Sequence, residues 1–168
     1  MTSGNAIAFL DVEASGLGAR SWPIEIGWCF LETEPVSVLI KPHEKWPLEE
    51  WEKTAESLHG VSMETLIMDG QFAGDVCDQL NAALGGKRVF SDSPDWDSFW
   101  LYRLFDAAKK RQNFTLDGLG AVFSRFSPEQ IDAFVEVVTA QFPRRHRAAA
   151  DCLHMRALYR LAKGQTDD

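Results

Sequence analysis

Residues 6–18, AIAFLDVEASGLG, decide how the rest of the chain is read. The stretch begins as an apolar, buried-looking strand over residues 6–12. Two acids, Asp11 and Glu13, then interrupt it, and a glycine-containing turn follows. An unpaired carboxylate costs several kcal/mol to bury and is avoided unless it is paired or holds a metal. Side chains two apart on a strand share a face, so Asp11 and Glu13 project together and Val12 points the other way. Adjacent carboxylates repel and raise one another's pKa unless a cation intervenes. Hard divalent ions such as Mg²⁺ or Mn²⁺ select such oxygen donors. A strand end where both acids reach solvent has the same pattern, so other acids must close a site.

Outward from this strand, residues 23–33 (PIEIGWCFLET) and 36–41 (VSVLIK) read as two further strands joined as a hairpin across Glu34-Pro35. The middle turns helical. PLEEWEKTAESLHG reads as a helix ending on a Gly60 cap, and Phe72, Val76, Leu80 and Leu84 form an i+4 stripe stopping at Gly85-Gly86. KRVFS reads as a fourth strand, residues 96–108 as a helix and Phe114-Thr115-Leu116 as a short strand. Ser127-Pro128-Glu129 starts another helix with a stripe of Ile131, Phe134, Val135 and Val138, and a last helix runs from Ala148 to Ala162. Three antiparallel strands followed by strand–helix alternation predict an α/β mixed five-stranded sheet with helices on both faces, where ligands gather at strand ends.

The chain of 168 residues, 45% hydrophobic and without linker or repeat, fits one domain over residues 1–168. MTSGN carries no basic region before the apolar stretch, and no uncharged run approaches the roughly 18 residues of a membrane span. A cytoplasmic, non-membrane protein is expected. Cys29, Cys77 and Cys152 are scattered without metal or redox spacing and read as buried reduced thiols. A net charge of −8 opposes a polyanionic partner unless some acids carry divalent ions. Basic clusters stand at Lys109-Lys110-Arg111 and Arg144-Arg145-His146-Arg147.

Further acids are available. SDSPDWDSFWLYRLF, after the fourth strand, offers Asp92, Asp95 and Asp97. HRAAADCLHMRAL supplies His146 and Asp151 as H-x4-D. Five helical residues rotate by about 140°, so both cannot share a helix face. Asp151 is placed on the helix and His146 in the loop opened by Pro143, as a fixed metal ligand beside a movable base.

These motifs resemble the DEDDh family of 3′-to-5′ exonucleases, which has a ribonuclease H-like fold. DVEASGL is similar to its first motif, WDSFWL to its second with Trp for Phe, His146 and Asp151 to its third, and LHGVS to its H-G-I-T stretch. Of the three acids near residue 95, the second motif selects Asp97. Ser93 stands where the family has Asn, and Ser15 where Thr is common. The resemblance implies two Mg²⁺ or Mn²⁺ ions on Asp11, Glu13, Asp97 and Asp151, with His146 as the base. It also implies that the Ala14-Ser15 backbone, Leu17 and His59 meet the 3′-terminal nucleotide of single-stranded DNA or RNA. Two such ions would halve the formal charge of −8. Of the six tryptophans, Trp28, Trp96 and Trp100 fall on core elements, while Trp46 and Trp51, beside a loop proline, are the better candidates for stacking on bases. The aromatic-rich helices offer a face for a homodimer. Two other readings stand beside this one: a non-catalytic nucleic-acid-binding or scaffold module, and an endonuclease of the ribonuclease-H type.

Overall fold

The opening strand is β1, Ile7–Ala14, two residues longer at its end than its sequence suggests. Glu13 and Ala14 still pair with the next strand, β2 (Pro23–Phe30), across a register shift. β2 pairs antiparallel with β3 (Val36–Leu39), completing the expected hairpin. β4 (Arg88–Ser91) lies parallel to β1, and β5 (Leu116–Gly118) parallel to β4, in the order β3-β2-β1-β4-β5. The computed structural model describes residues 6–164, so MTSGN, read above for targeting, lies outside them.

Strand alternation divides the core. Ala8, Leu10, Val12 and Ala14 face one cluster with α3 (Ala73–Leu84) and α4 (Pro94–Ala108). Phe9 faces the other, with α5 (Pro128–Gln141) and α6 (Ala148–Gly164). The sheet is therefore covered on both faces, as expected for a mixed sheet. Among the described residues no helix is long and apolar enough to cross a membrane. Cys29, Cys77 and Cys152 are buried and unbridged.

Several local expectations need correction. The stretch 47–60 is not one helix: a 3₁₀ turn over Leu48–Glu50 gives way to extended Trp51 and Glu52 before α1 (Lys53–His59), which Gly60 caps at φ +69°. Tertiary hydrogen bonding causes the break, because the Glu52 N–H donates to the Ser15 carbonyl at 2.8 Å. α2 (Met63–Asp69) was not foreseen; it is short, and Ser62 caps it by accepting from the Thr65 N–H. Phe72 is the N-cap of α3, 66% exposed and outside the buried stripe, which instead includes Ala73 and Cys77. Its ring lies under the Lys41 ammonium. Phe114 precedes β5 and packs edge-on against Phe105 in the core. α5 starts at Ser127-Pro128 as expected, where Ser127 and Gln130 form a capping box, and Phe134 and Val138 are buried, but Val135 is exposed.

The tryptophans also trade places. Trp28 and Trp100 are core residues, whereas Trp96, in the first turn of α4, is 40% exposed. Trp46 is buried and stacks on Trp22 at 5.5 Å, so its face is taken by protein. Trp51 tilts on Trp22 and donates its indole N–H to Glu56 at 2.8 Å.

Candidate active site

The parallel pairing of β1 with β4 runs from Ile7 opposite Arg88 to Phe9 opposite Phe90 and stops there, while β1 continues along β2. Asp11 and Glu13 fall beyond that point, at the carboxyl ends of two parallel neighbours, where α/β sheets place their ligand crevices. Both belong to the β1 face that looks toward α6, since Val12 packs in the opposite cluster.

Three distant segments meet there. Asp97 projects from the first turn of α4, buried to 2% exposure, and accepts a hydrogen bond from the Ser91 hydroxyl. Asp151 lies in the first turn of α6 and is buried; His146 sits in the preceding loop, exposed, in the left-handed region at φ 51°. The Arg145 N–H donates to Asp151 Oδ1 at 3.0 Å. Ligand atoms of Glu13, His146 and Asp151 lie within 4.8 Å of one another, and so do those of Asp11, Asp92 and Asp97. All six line one open cavity of about 220 Å³. Asp95 is exposed and joins neither group. Asp92 is an added member, ion-paired with Arg144.

The electrostatics are those of acids in need of a cation. Asp11 is held well above the usual carboxylate range, first by burial and then by Asp97, Glu13, Asp151 and Asp92. Burial, followed by Asp151 and Glu25, pushes Glu13 to about 7. Burial pushes Asp97 to about 8 despite its hydrogen bond from Ser91. Asp151 is also raised, chiefly by burial. Asp11 Oδ2 is buried with no hydrogen-bond partner. An orphaned buried oxygen ringed by like charges is what a hard divalent ion would relieve, and the carboxylate oxygens gathered here are the donors such an ion accepts.

A second cavity of about 210 Å³ adjoins the first and shares Val12, Glu13, Leu17, Trp100 and His146 with it. Leu17 is 67% exposed at the tip of the turn after β1. Glu52 holds that turn by accepting from the amides of Leu17 (3.1 Å) and Gly18 (3.3 Å). A Cβ at Gly16 would lie 2.2 Å from the Glu52 carboxylate, so a side chain there would displace Glu52 from the turn. Ala14 lines the second cavity. Ser15 does not: its N–H and C=O bond to Trp22 and Glu52, and its buried hydroxyl accepts from the Trp22 amide at 3.0 Å. His59 is both a helix-end residue and a cavity residue. Its Nδ1 accepts from the Val61 N–H at 3.0 Å, which leaves a buried Nε2 with no partner. Burial lowers its pKa, favouring the neutral ring with the proton on Nε2.

Reading the sequence alone missed Trp96 and Arg144 as cleft residues and Glu52 as the residue that holds the turn beside them. Trp96 was hidden by its place on an apolar helix, and Arg144 by a basic cluster that also suits a solvated surface. Nothing local marks Glu52.

No family model matches the chain, and no curated protein matches it. Solved structures do. Escherichia coli Exonuclease I in complex with a dT13 oligonucleotide superposes with a TM-score of 0.76 at 15% identity, over 97% of this chain and 42% of that one. Its complex with a dA16 oligonucleotide gives 0.77 at 15% identity over the same shares. The moderately thermophilic Exonuclease I from Methylocaldum szegediense gives 0.73 at 16% identity, over 97% and 41%. The fold is ribonuclease H-like. The chain spans about two-fifths of the length of these Exonuclease I structures, which include a zinc-bound form. At such identity the likeness is one of fold.

Proposed function

We propose that this chain is a metal-dependent 3′-to-5′ exonuclease that hydrolyses single-stranded nucleic acid from its 3′ end and releases nucleoside 5′-monophosphates. One observation carries the reading: acids from β1, α4 and α6 meet at the strand ends around a buried, unpartnered Asp11 oxygen. The neighbours of the same fold bound to dT13 and dA16 oligonucleotides support it.

In this reading Asp11, Glu13, Asp97 and Asp151 hold two Mg²⁺ or Mn²⁺ ions, with Asp92 beside them. Bound there, such ions supply charge neutralisation at the phosphate and acidify a water. His146, exposed at the cleft edge, takes the proton of the attacking water. Water oxygen bonds to phosphorus, the P–O3′ bond breaks, and the departing oxygen takes a proton from solvent to become the new 3′ hydroxyl. Leu17 and Ala14 pack on the terminal nucleotide. The orphaned His59 Nε2–H donates to it, relieving a buried donor that otherwise costs about 1–3 kcal/mol. Trp96 gives the next base a stacking face.

The test is hydrolysis of a 3′-labelled single-stranded oligonucleotide, with mass analysis of products. Mononucleotides released with Mg²⁺ or Mn²⁺, and lost on adding EDTA or in Asp11→Ala, are expected. Activity that survives Asp11→Ala refutes the metal assignment; tight binding without turnover in any divalent metal favours a binding module; nicking of a circular substrate favours an endonuclease.

A further inference from the structure

His146 is a non-glycine residue at φ 51°, one of two such residues among those described. That conformation costs about 1–2 kcal/mol and persists only where the surroundings impose it. The loop carrying it is fastened at both ends. At its start, buried His154 donates from Nδ1 to the Phe142 carbonyl at 2.7 Å. At its finish, Arg147 grips Glu25 with two parallel bonds, Nε to Oε2 at 2.9 Å and Nη2 to Oε1 at 3.0 Å. The Ala148 amide donates to Glu25 Oε2 at 3.3 Å, so the same carboxylate caps α6. The Ser37 hydroxyl donates to Oε1 at 2.5 Å.

Glu25 is only 1% exposed and sits directly across the ladder from Glu13. It belongs to neither group of ligand atoms, and its oxygens are engaged by Arg147, Ala148 and Ser37. Two residues along β2, Gly27 lets α6 approach: a Cβ there would lie 2.6 Å from the Ala148 carbonyl carbon and 2.8 Å from the Ala149 nitrogen. A single pair of strands therefore presents Glu13 and seats the segment that carries His146 and Asp151. We infer that Glu25, through its bidentate bond to Arg147, is the positioning residue that fixes His146 over the acid cluster. The role rests on the reading of His146 as the base, but its mechanical half does not.

The experiment uses the full chain with Glu25→Gln, Arg147→Lys and His146→Ala, singly and with Glu25→Gln combined with His146→Ala. Glu25→Gln should lower kcat about 10- to 100-fold with KM and Mn²⁺ affinity, measured by calorimetry, nearly unchanged, since small misplacement of a catalytic group has effects of that size. Arg147→Lys, which keeps the charge but not the fork, should fall between it and wild type. In the His146→Ala background Glu25→Gln should have no further effect on kcat, whereas a general structural loss would multiply. In metal-free protein, Glu25→Gln should speed tryptic nicking after Arg144 and Arg145. A Glu25→Gln kcat close to wild type, a fully multiplicative loss in the double variant, or unchanged nicking overturns the inference. If Glu25→Gln does not fold, Arg147→Lys decides by the same readouts. If the wild type hydrolyses nothing, the exonuclease reading fails, while nicking alone decides whether Glu25 holds the loop.

Discussion

Raising the pH of the metal-free protein should destabilise it, and divalent ions should reverse the trend. Glu13 moves from an ordinary 4.5 to about 7 in the folded state, and Asp97 from 3.8 to about 8. A carboxyl whose folded pKa lies above its unfolded value favours folding fully below the unfolded value, and that advantage is lost as pH rises through the folded one. Between about pH 5 and pH 7 these two groups keep roughly two protons in the folded chain that the unfolded chain has released, a slope of about −2.7 kcal/mol per pH unit from this pair. Asp11 and Asp151 are raised too and act in the same sense. His59, lowered by burial, opposes them near its own range. Water entering the open cleft weakens the repulsion, so a net loss of about 2 kcal/mol is expected, or about 4–8 °C in Tm for a domain of this size.

The assay is thermal unfolding followed by circular dichroism in EDTA and in excess Mg²⁺, from about pH 5 to about pH 8. In EDTA the Tm should fall across that range. Because ions bind only the ionised acids, the Mg²⁺ increment should be small at the acid end and reach about 2–3 kcal/mol at the alkaline end if the site is near saturation. Glu13→Gln should flatten the EDTA slope by removing one of the titrating groups. A Tm in EDTA that is level or rises toward pH 8, or a Mg²⁺ increment equal at both ends, refutes the reasoning.

Asp11→Asn should raise the Tm of the metal-free protein near neutral pH while removing the Mg²⁺ increment, both read in the same unfolding assay. His146→Ala should lower kcat about 10²- to 10⁴-fold with Mn²⁺ affinity retained, and a large loss of affinity would make His146 a ligand instead. Trp96→Ala should raise KM for a single strand about 5- to 100-fold, the equivalent of one lost stacking contact, with the unfolding temperature little changed. Gly27→Ala should lower the Tm by several degrees, because the added carbon meets backbone at 2.6 Å and such overpacking costs about 1–3 kcal/mol.

The strands were legible because each carries its own pattern: apolar β1 with its paired acids, the alternation in β2, and turn residues between β2 and β3. α5 announced itself through Ser127 and Pro128. The stretch 47–60 was not legible as it folds, because the residue that breaks it, Glu52, is taken by amides 34 and 35 positions away. Helical spacing put Phe72 and Val135 on buried stripes, yet where a helix starts and how it is rotated against the sheet are tertiary facts. Asp97 could be separated from Asp95 by its place before an apolar pair, whereas Asp92 enters because the end of β4 turns it back into the cleft. Trp46 and Trp96 were exchanged for the same reason: a loop tryptophan finds a partner in Trp22, and a helical one ends on the solvent side.

The charge of the chain then has a local explanation. Acids crowd the strand ends, where burial and mutual repulsion raise their pKa values. Cations of the protein frame that patch: Arg144 pairs with Asp92, and Arg147 with Glu25. Each arginine answers one carboxylate at the rim, and Asp11 Oδ2 at the centre is left with none. An acidic chain in this arrangement does not repel a polyanion uniformly. On the proposed exonuclease reading, attraction for phosphate would depend on bound divalent ions, so metal and single strand should bind with positive cooperativity, each raising the other's affinity by the same factor.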